Sequence, residues 1–161
     1  MTFDVQAIRR LAPVARVVVA DTKGSVPREV GASMLVTADA VEGTIGGGAL
    51  EFEAIKSAHA DLMARADRFE RKPLGPSLGQ CCGGAVSLLT EFWDEKRLNT
   101  LVSDVIARPL PGKPEDQPLA VTRILADHRS KGISPRPGLV SGWMIEPVTR
   151  PRRSIWVWGA G

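Results

Sequence analysis

Two cysteines stand side by side in Gln80-Cys81-Cys82-Gly83-Gly84, and the chain has no others. A disulfide between neighbours closes almost no loop and strains the bridge, so a structural staple is excluded. Two free thiols next to glycines are awkward as core filler. As thiolates they suit copper, zinc or molybdenum-type sulfur chemistry, or they carry sulfur as a persulfide. A structural zinc site lacks its other ligands, because neither a second cysteine pair nor a histidine at ligand spacing accompanies them. His59 falls in a helical pattern and His128 near a polar turn, and both read as ordinary histidines.

Two further segments carry candidate binding groups. Gly46-Gly47-Gly48 separates an apolar strand pattern from a long helical one. A helix start offers unpaired N–H groups and a positive dipole end, and glycines let a phosphate reach them. The same glycines permit a sharp strand-to-helix turn, and on the motif alone that reading leads. Glu51, in the first helical turn, stabilises the helix through its dipole and disfavours a highly charged anion nearby. The loop Thr22-Lys23-Gly24-Ser25-Val26-Pro27-Arg28 combines hydroxyls with a guanidinium. Arg28 is able to grip a phosphate or carboxylate bidentately, or is a solvated turn residue. No Ser-His-Asp or Cys-His arrangement emerges.

The elements that must position these groups are legible as hydrophobic periodicity. Residues 4–11 predict a short helix, with Val5, Ile8 and Leu11 on one face. Ala15 to Asp21 predicts a strand buried on both sides; strands over Gly31–Thr37 and Val41–Ile45 then make an antiparallel meander. Leu50, Ala54, Ile55, Ala58, Leu62 and Ala66 predict a long helix from Ala49 to Phe69, stopped by Pro73 and Gly75. Ala85 to Phe92 predicts a strand. Leu98, Leu101, Val102, Val105 and Ile106 predict a shorter helix over Glu95–Ala107. The Pro-rich stretch Arg108–Pro118 predicts a loop, and Leu119–Ala126 and Leu139–Glu146 predict strands. The fold class expected is α+β, a mixed or antiparallel sheet with one long and one shorter helix.

At 161 residues the chain can bury one real core. No segment approaches the ~20 apolar residues of a membrane-spanning helix, and no leader pattern surrounds Arg9, Arg10 and Arg16. A soluble cytoplasmic protein is expected, with no membrane partner. The net charge of +3 comes from scattered basic residues without interleaved aromatics, which argues against a nucleic-acid surface.

Taken together, Thr22–Arg28, Gly31–Val36, Glu42–Glu51 and Leu78–Gly84 resemble the xanthine dehydrogenase accessory proteins of the XdhC/CoxI family. The resemblance implies a chaperone, not an enzyme, that binds the molybdenum cofactor (molybdopterin) and protects it while its terminal sulfur is installed. It then delivers the cofactor to apo xanthine dehydrogenase. It implies a cysteine desulfurase as a further partner and a homodimer as a candidate assembly. The cofactor-binding set it implies is Gln80, Cys81, Cys82 and Gly83, with Gly46, Gly47 and Gly48, and Ser25 and Arg28. Cys82 is the first choice for contact with molybdenum, because Cys-Gly-Gly is the more widely shared part of that family's block. The cofactor's phosphate is assigned to the Gly46–Gly48 helix start or to Arg28. Two other readings stay open, a nucleotide-dependent oxidoreductase and a persulfide carrier.

Ile155-Trp156-Val157-Trp158-Gly159-Ala160-Gly161 reads as a buried strand entering a dinucleotide-type Gly-x-Gly turn, and resembles the opening of that family's C-terminal Rossmann-like domain. The division expected is residues 1–146 as the cofactor-binding domain, 147–154 as a linker and 155–161 as the start of a truncated Rossmann-like domain. On that division, deleting residues 155–161 leaves the melting temperature nearly unchanged and reduces self-association, since an exposed apolar strand promotes pairing. A strongly lowered melting temperature would instead assign the strand to the first domain's own sheet.

Overall fold

The computed structural model of the protein describes residues 3–75 and 83–149. Two β-sheets pack face to face, with one helix on each outer face. The first sheet is wholly antiparallel. It comprises β2 (Val14–Lys23), β3 (Ser33–Val36), β4 (Val41–Gly43), β5 (Arg68–Pro73) and β6 (Ala85–Trp93), in the order β4-β3-β2-β6-β5. The second contains β1 (Phe3–Asp4), β7 (Val105–Pro109), β8 (Gly138–Val140) and β9 (Trp143–Thr149). Its β1 runs parallel to β9, so the molecule is mixed α+β, as expected from the sequence.

Side-chain alternation along β2 makes the layers. Ala15, Val17 and Val19 pack with Met34, Val36, Val86 and Leu88 against Leu50, Ala54 and Ala58 of α2 (Gly48–Ala64). Val18 and Ala20 face the other way, packing with Leu89 against Leu110 and Met144 of the second sheet. Val14 joins Trp93, Leu35 and Ile106 beneath Ile8 of α1 (Val5–Leu11). The outer face of the second sheet, with Val105, Trp143 and Ile145, is covered by Val121, Ile124 and Leu125 of α4 (Leu119–Lys131).

Between the sheets lies a closed set of four charges. Arg16 (β2) and Glu91 (β6) are register partners in the first sheet; Arg108 (β7) and Glu146 (β9) come from the second. All four are buried. Arg16 donates to Glu146 at 2.7 and 3.0 Å, and Arg108 donates to both Glu91 and Glu146. Both guanidiniums also stack near the Phe3 ring, with Cζ 4.8 and 5.4 Å from its centroid.

Five expectations are corrected. The long helix ends at Ala64, because Arg65 turns left-handed (φ 52°) and the Ala66 N–H bonds back to the Asp61 carbonyl. Arg68–Pro73 then forms an edge strand tied to α2 through the bidentate Arg68–Asp61 pair. The helix over 95–107 shrinks to α3 (Glu95–Leu98), capped by Asp94, and Val105 onward is strand β7. Residues 119–126 belong to helix α4, where Val121, Ile124 and Leu125 recur at helical spacing and Gly132 (φ 67°) closes the end. The strand over 139–146 is a hairpin folded at Ser141 and Gly142, both at positive φ. Residues 147–149, placed in the linker, continue β9; residues 150–161 lie outside the described residues. Among the described residues no helix is long and apolar enough to cross a membrane.

Burial pushes the Glu146 carboxyl up, but Arg16 and Arg108 outweigh it and hold the group at about 2 against an ordinary 4.5. A lowered folded-state pKa stabilises the fold fully above the unfolded value and progressively less below it. Stability is therefore expected to be flat above pH 4.5 and to fall as pH drops from 4.5 toward 2. Glu146→Gln leaves two buried guanidiniums facing one carboxylate and is expected to cost about 3–5 kcal/mol. Urea denaturation across that pH range, with parent and variant, checks both the loss and the flattened acid slope.

Candidate functional site

The segments singled out in the sequence meet at one end of the first sheet. β2 ends there at Lys23, β6 begins at Ala85, β5 ends at Pro73, and β4 leads through Thr44 to the start of α2. The loop after β2 packs into the glycines. A Cβ on Gly24 would touch Gly84 Cα at 3.2 Å, and one on Gly84 would overlap the Lys23 and Ser25 carbonyl oxygens. A Cβ on Gly46 would come within 2.6 Å of Pro27 Cγ and 3.5 Å of Arg28 Cγ. The loop 24–28 is thus wedged between Gly46 on one side and Gly83-Gly84 on the other. By contrast, a Cβ on Gly47 or Gly83 would meet none of the described residues within 4 Å, so among these both present bare backbone at the rim.

The turn itself is held by Glu51. Gly46, Gly47 and Gly48 all have positive φ (129°, 75° and 65°), a conformation that side chains rarely adopt. Gly47 is the N-cap residue and has no side chain to cap the helix. The Glu51 carboxylate instead reaches back to hold the turn ahead of the helix, accepting from the Ile45 and Gly47 N–H groups (2.9 and 3.1 Å) and from Thr44 Oγ1 (2.5 Å). Thr44 Oγ1 in turn accepts from the Gly46 N–H. Burial pushes the Glu51 carboxyl up, but these hydrogen bonds outweigh it and hold it below the ordinary carboxylate range. The role of Glu51 is therefore more specific than the dipole effect read from its position. An acidic residue four places after the capping glycine, one place beyond the capping-box position, was the available signal.

Arg28 is about one-third exposed and is paired to Glu29 by two 3.2 Å hydrogen bonds. Its partner's carboxyl is lowered to about 2 by that contact. Gln80, Cys81 and Cys82 lie outside the described residues, whereas Gly83, next in the chain, belongs to the cluster. His59 bonds the Thr37 carbonyl and His128 the Ile133 carbonyl, away from the glycine turn in sequence and partner. Among the described residues no three His, Cys, Asp or Glu side chains gather as a metal would require. Cavities elsewhere include a cleft of about 170 Å³ bordered by Asp4, Ile8, Arg16 and Ser33, which none of the candidate residues lines.

Residues 7–71 match the XdhC and CoxI family. The span carries the β2–α2 unit with the loop 24–28 and the glycine turn; Gly83-Gly84 follows it in sequence. Three solved chains match as well. One is named as a xanthine dehydrogenase from Bacillus halodurans, 22% identical, with a TM-score of 0.53 over 65% of this chain and 37% of that one. The likeness shows a shared fold, and the chain spans well under half of that protein's length. No curated protein matches significantly.

The packing separates two adjacent glycines. Gly84→Ala forces a methyl group into two backbone carbonyls and is expected to destabilise by about 1–3 kcal/mol. Gly83→Ala meets none of the described residues and is expected to fall within about 0.5 kcal/mol of the parent. Thermal or urea melts of the two variants check the contrast, and equal losses would contradict the wedged geometry.

Proposed function

We propose that this protein is an accessory factor in the maturation of a xanthine-dehydrogenase-type enzyme, and that the molybdenum cofactor is its cargo. It holds the cofactor while a cysteine desulfurase supplies the terminal sulfur, then passes it to the apoenzyme. It acts as a carrier in the cytoplasm and catalyses no turnover of its own. The observation that carries this reading is the convergence of three segments at one sheet end. They are Thr22–Arg28, Gly46–Gly48 and Gly83-Gly84, two of them within the span that matches the family.

The residues support the roles chemically. Bare backbone at Gly47 and Gly83 lets a flat, bulky cargo approach without meeting a side chain. Cys82, directly before Gly83 in sequence, supplies a soft thiolate suited to molybdenum or its sulfur, with Cys81 and Gln80 beside it. Ser25 and Arg28 bring a hydroxyl and a guanidinium on the wedged loop, the latter able to release Glu29 for a phosphate. A homodimer is the assembly proposed for the full protein.

Cys82→Ala and Cys81→Ala are to be compared for molybdopterin retained after gel filtration. Cys82→Ala is expected to weaken retention about tenfold or more, equivalent to roughly 1.4 kcal/mol, and Cys81→Ala less. Unchanged retention in both variants leaves the thiols as packing groups. A persulfide detected by mass spectrometry after exposure to a cysteine desulfurase, with no cofactor retained by the parent, makes the protein a sulfur carrier instead.

A further inference from the structure

The start of α2 has the parts of a phosphate site, since it combines consecutive glycines at positive φ, backbone N–H groups and the positive end of a 17-residue helix. The N–H groups of the turn leading into it, at Ile45, Gly46 and Gly47, are nevertheless engaged. A single oxygen, Oε2 of Glu51, takes the Ile45 and Gly47 amides and the Thr44 hydroxyl together, and Thr44 Oγ1 takes the Gly46 amide. This is the arrangement in which a phosphate oxygen would be bound, filled by a carboxylate of the same chain. We infer that Glu51 is a specificity-determining residue, an internal anion that closes the α2 start to phosphate and leaves the phosphate of a bound cargo to Arg28.

Charge and geometry both support the assignment. A second anion at the turn would face the Glu51 carboxylate within hydrogen-bonding range of the same donors, and like charges at that separation repel. Glu51 is tethered to the helix it caps, so displacing it forfeits three hydrogen bonds at once. Arg28 also lies against the turn, with its Cγ 3.5 Å from the Cβ position of Gly46. Among the described residues its guanidinium is held by the neighbouring Glu29, in an exposed pair of the kind that contributes little and exchanges readily. Of the two charged groups at the turn, Glu51 is committed to its hydrogen bonds, whereas Arg28 has cationic donors open to exchange. The cargo's part in this rests on the function proposed above, whereas the filling of the amides is a property of the chain alone.

The test uses the full chain and inorganic phosphate. Melting temperatures of the parent, Glu51→Ala and Glu51→Gln are measured over a phosphate titration, against chloride at matched ionic strength. The Ala variant empties the donor set, so phosphate is expected to raise its melting temperature saturably by several degrees while leaving the parent unmoved. Glu51→Gln keeps an acceptor oxygen but drops the charge. It serves if the Ala variant does not fold, and phosphate binding by calorimetry is expected in it and not in the parent. Equal phosphate stabilisation of parent and variant, or none in either variant, overturns the assignment. Molybdopterin retention by the parent is recorded in parallel. Its absence alongside a phosphate response confined to the variants removes the proposed function and keeps Glu51 as the internal anion.

Discussion

Four buried charges fix how the two sheets sit on each other. Apolar contact between sheets is non-directional, and Val18, Leu89 and Met144 would tolerate some sliding. The charges would not. Each sheet contributes one arginine and one glutamate, and the shorter contacts cross between sheets. Arg16 reaches Glu146 at 2.7 Å but its own strand neighbour Glu91 at 3.4 Å, while Arg108 grips Glu91 from the opposite sheet. A shift of one residue along either sheet would leave guanidinium and carboxylate groups buried without partners, which costs far more than a lost apolar contact. The net stabilisation from such a cluster is modest, because desolvation offsets much of the attraction. Its consequence here is a single register between layers.

That register is transmitted to the candidate site. β2 and β6 pair continuously from Val14–Trp93, at the charged end, to Lys23–Ala85, at the glycine end, interrupted by one irregularity between Val19 and Asp21. The pairing that sets Arg16 opposite Glu91 therefore also brings Gly84 against Lys23 and Ser25. Strand side chains alternate faces, so a one-residue slip would turn Arg16 toward α2 and carry Gly84 out of its gap. The irregularity adds local twist where the strand leaves the core, and the chain beyond it turns into the loop 24–28. Core charges and surface glycines are two ends of one constraint.

Much of the first sheet was legible because its signals are local. The apolar run of β2, the turn at residues 38–40 and the meander needed only neighbouring residues, as did the start of α2. The failures share a different cause. Arg65 adopts a left-handed conformation without being glycine, so the end of α2 carried no turn signal, and Arg68–Pro73 became a strand only because β6 offers its edge. Val105 and Ile106 fit a helical face as well as a strand, and pairing with β9 decides the matter. The charge cluster was invisible because Arg16, Glu91, Arg108 and Glu146 are far apart in sequence and each alone reads as solvated. For α4 the signal was present, in Val121, Ile124, Leu125 and Gly132, but a short apolar stretch admits both periods. At the site, the glycine blocks were readable, whereas the wedging of loop 24–28 between them was not. The thiols, Cys81 and Cys82, lie outside the described residues.

The site divides into a fixed part and an approachable part, and the division follows from which glycines are packed. Gly24, Gly46 and Gly84 are glycine because another backbone or Pro27 occupies the space of a side chain. Gly47 and Gly83 have no such neighbour. Gly47 is explained by its dihedral angle, which the Glu51 hydrogen bonds enforce. Gly83 joins the packed Gly84 to the cysteine pair in sequence, and a Cβ on it would meet none of the described residues within 4 Å. On the function proposed above, the open backbone at Gly83, more than the filled turn at α2, is where an external group would gain most from a missing side chain.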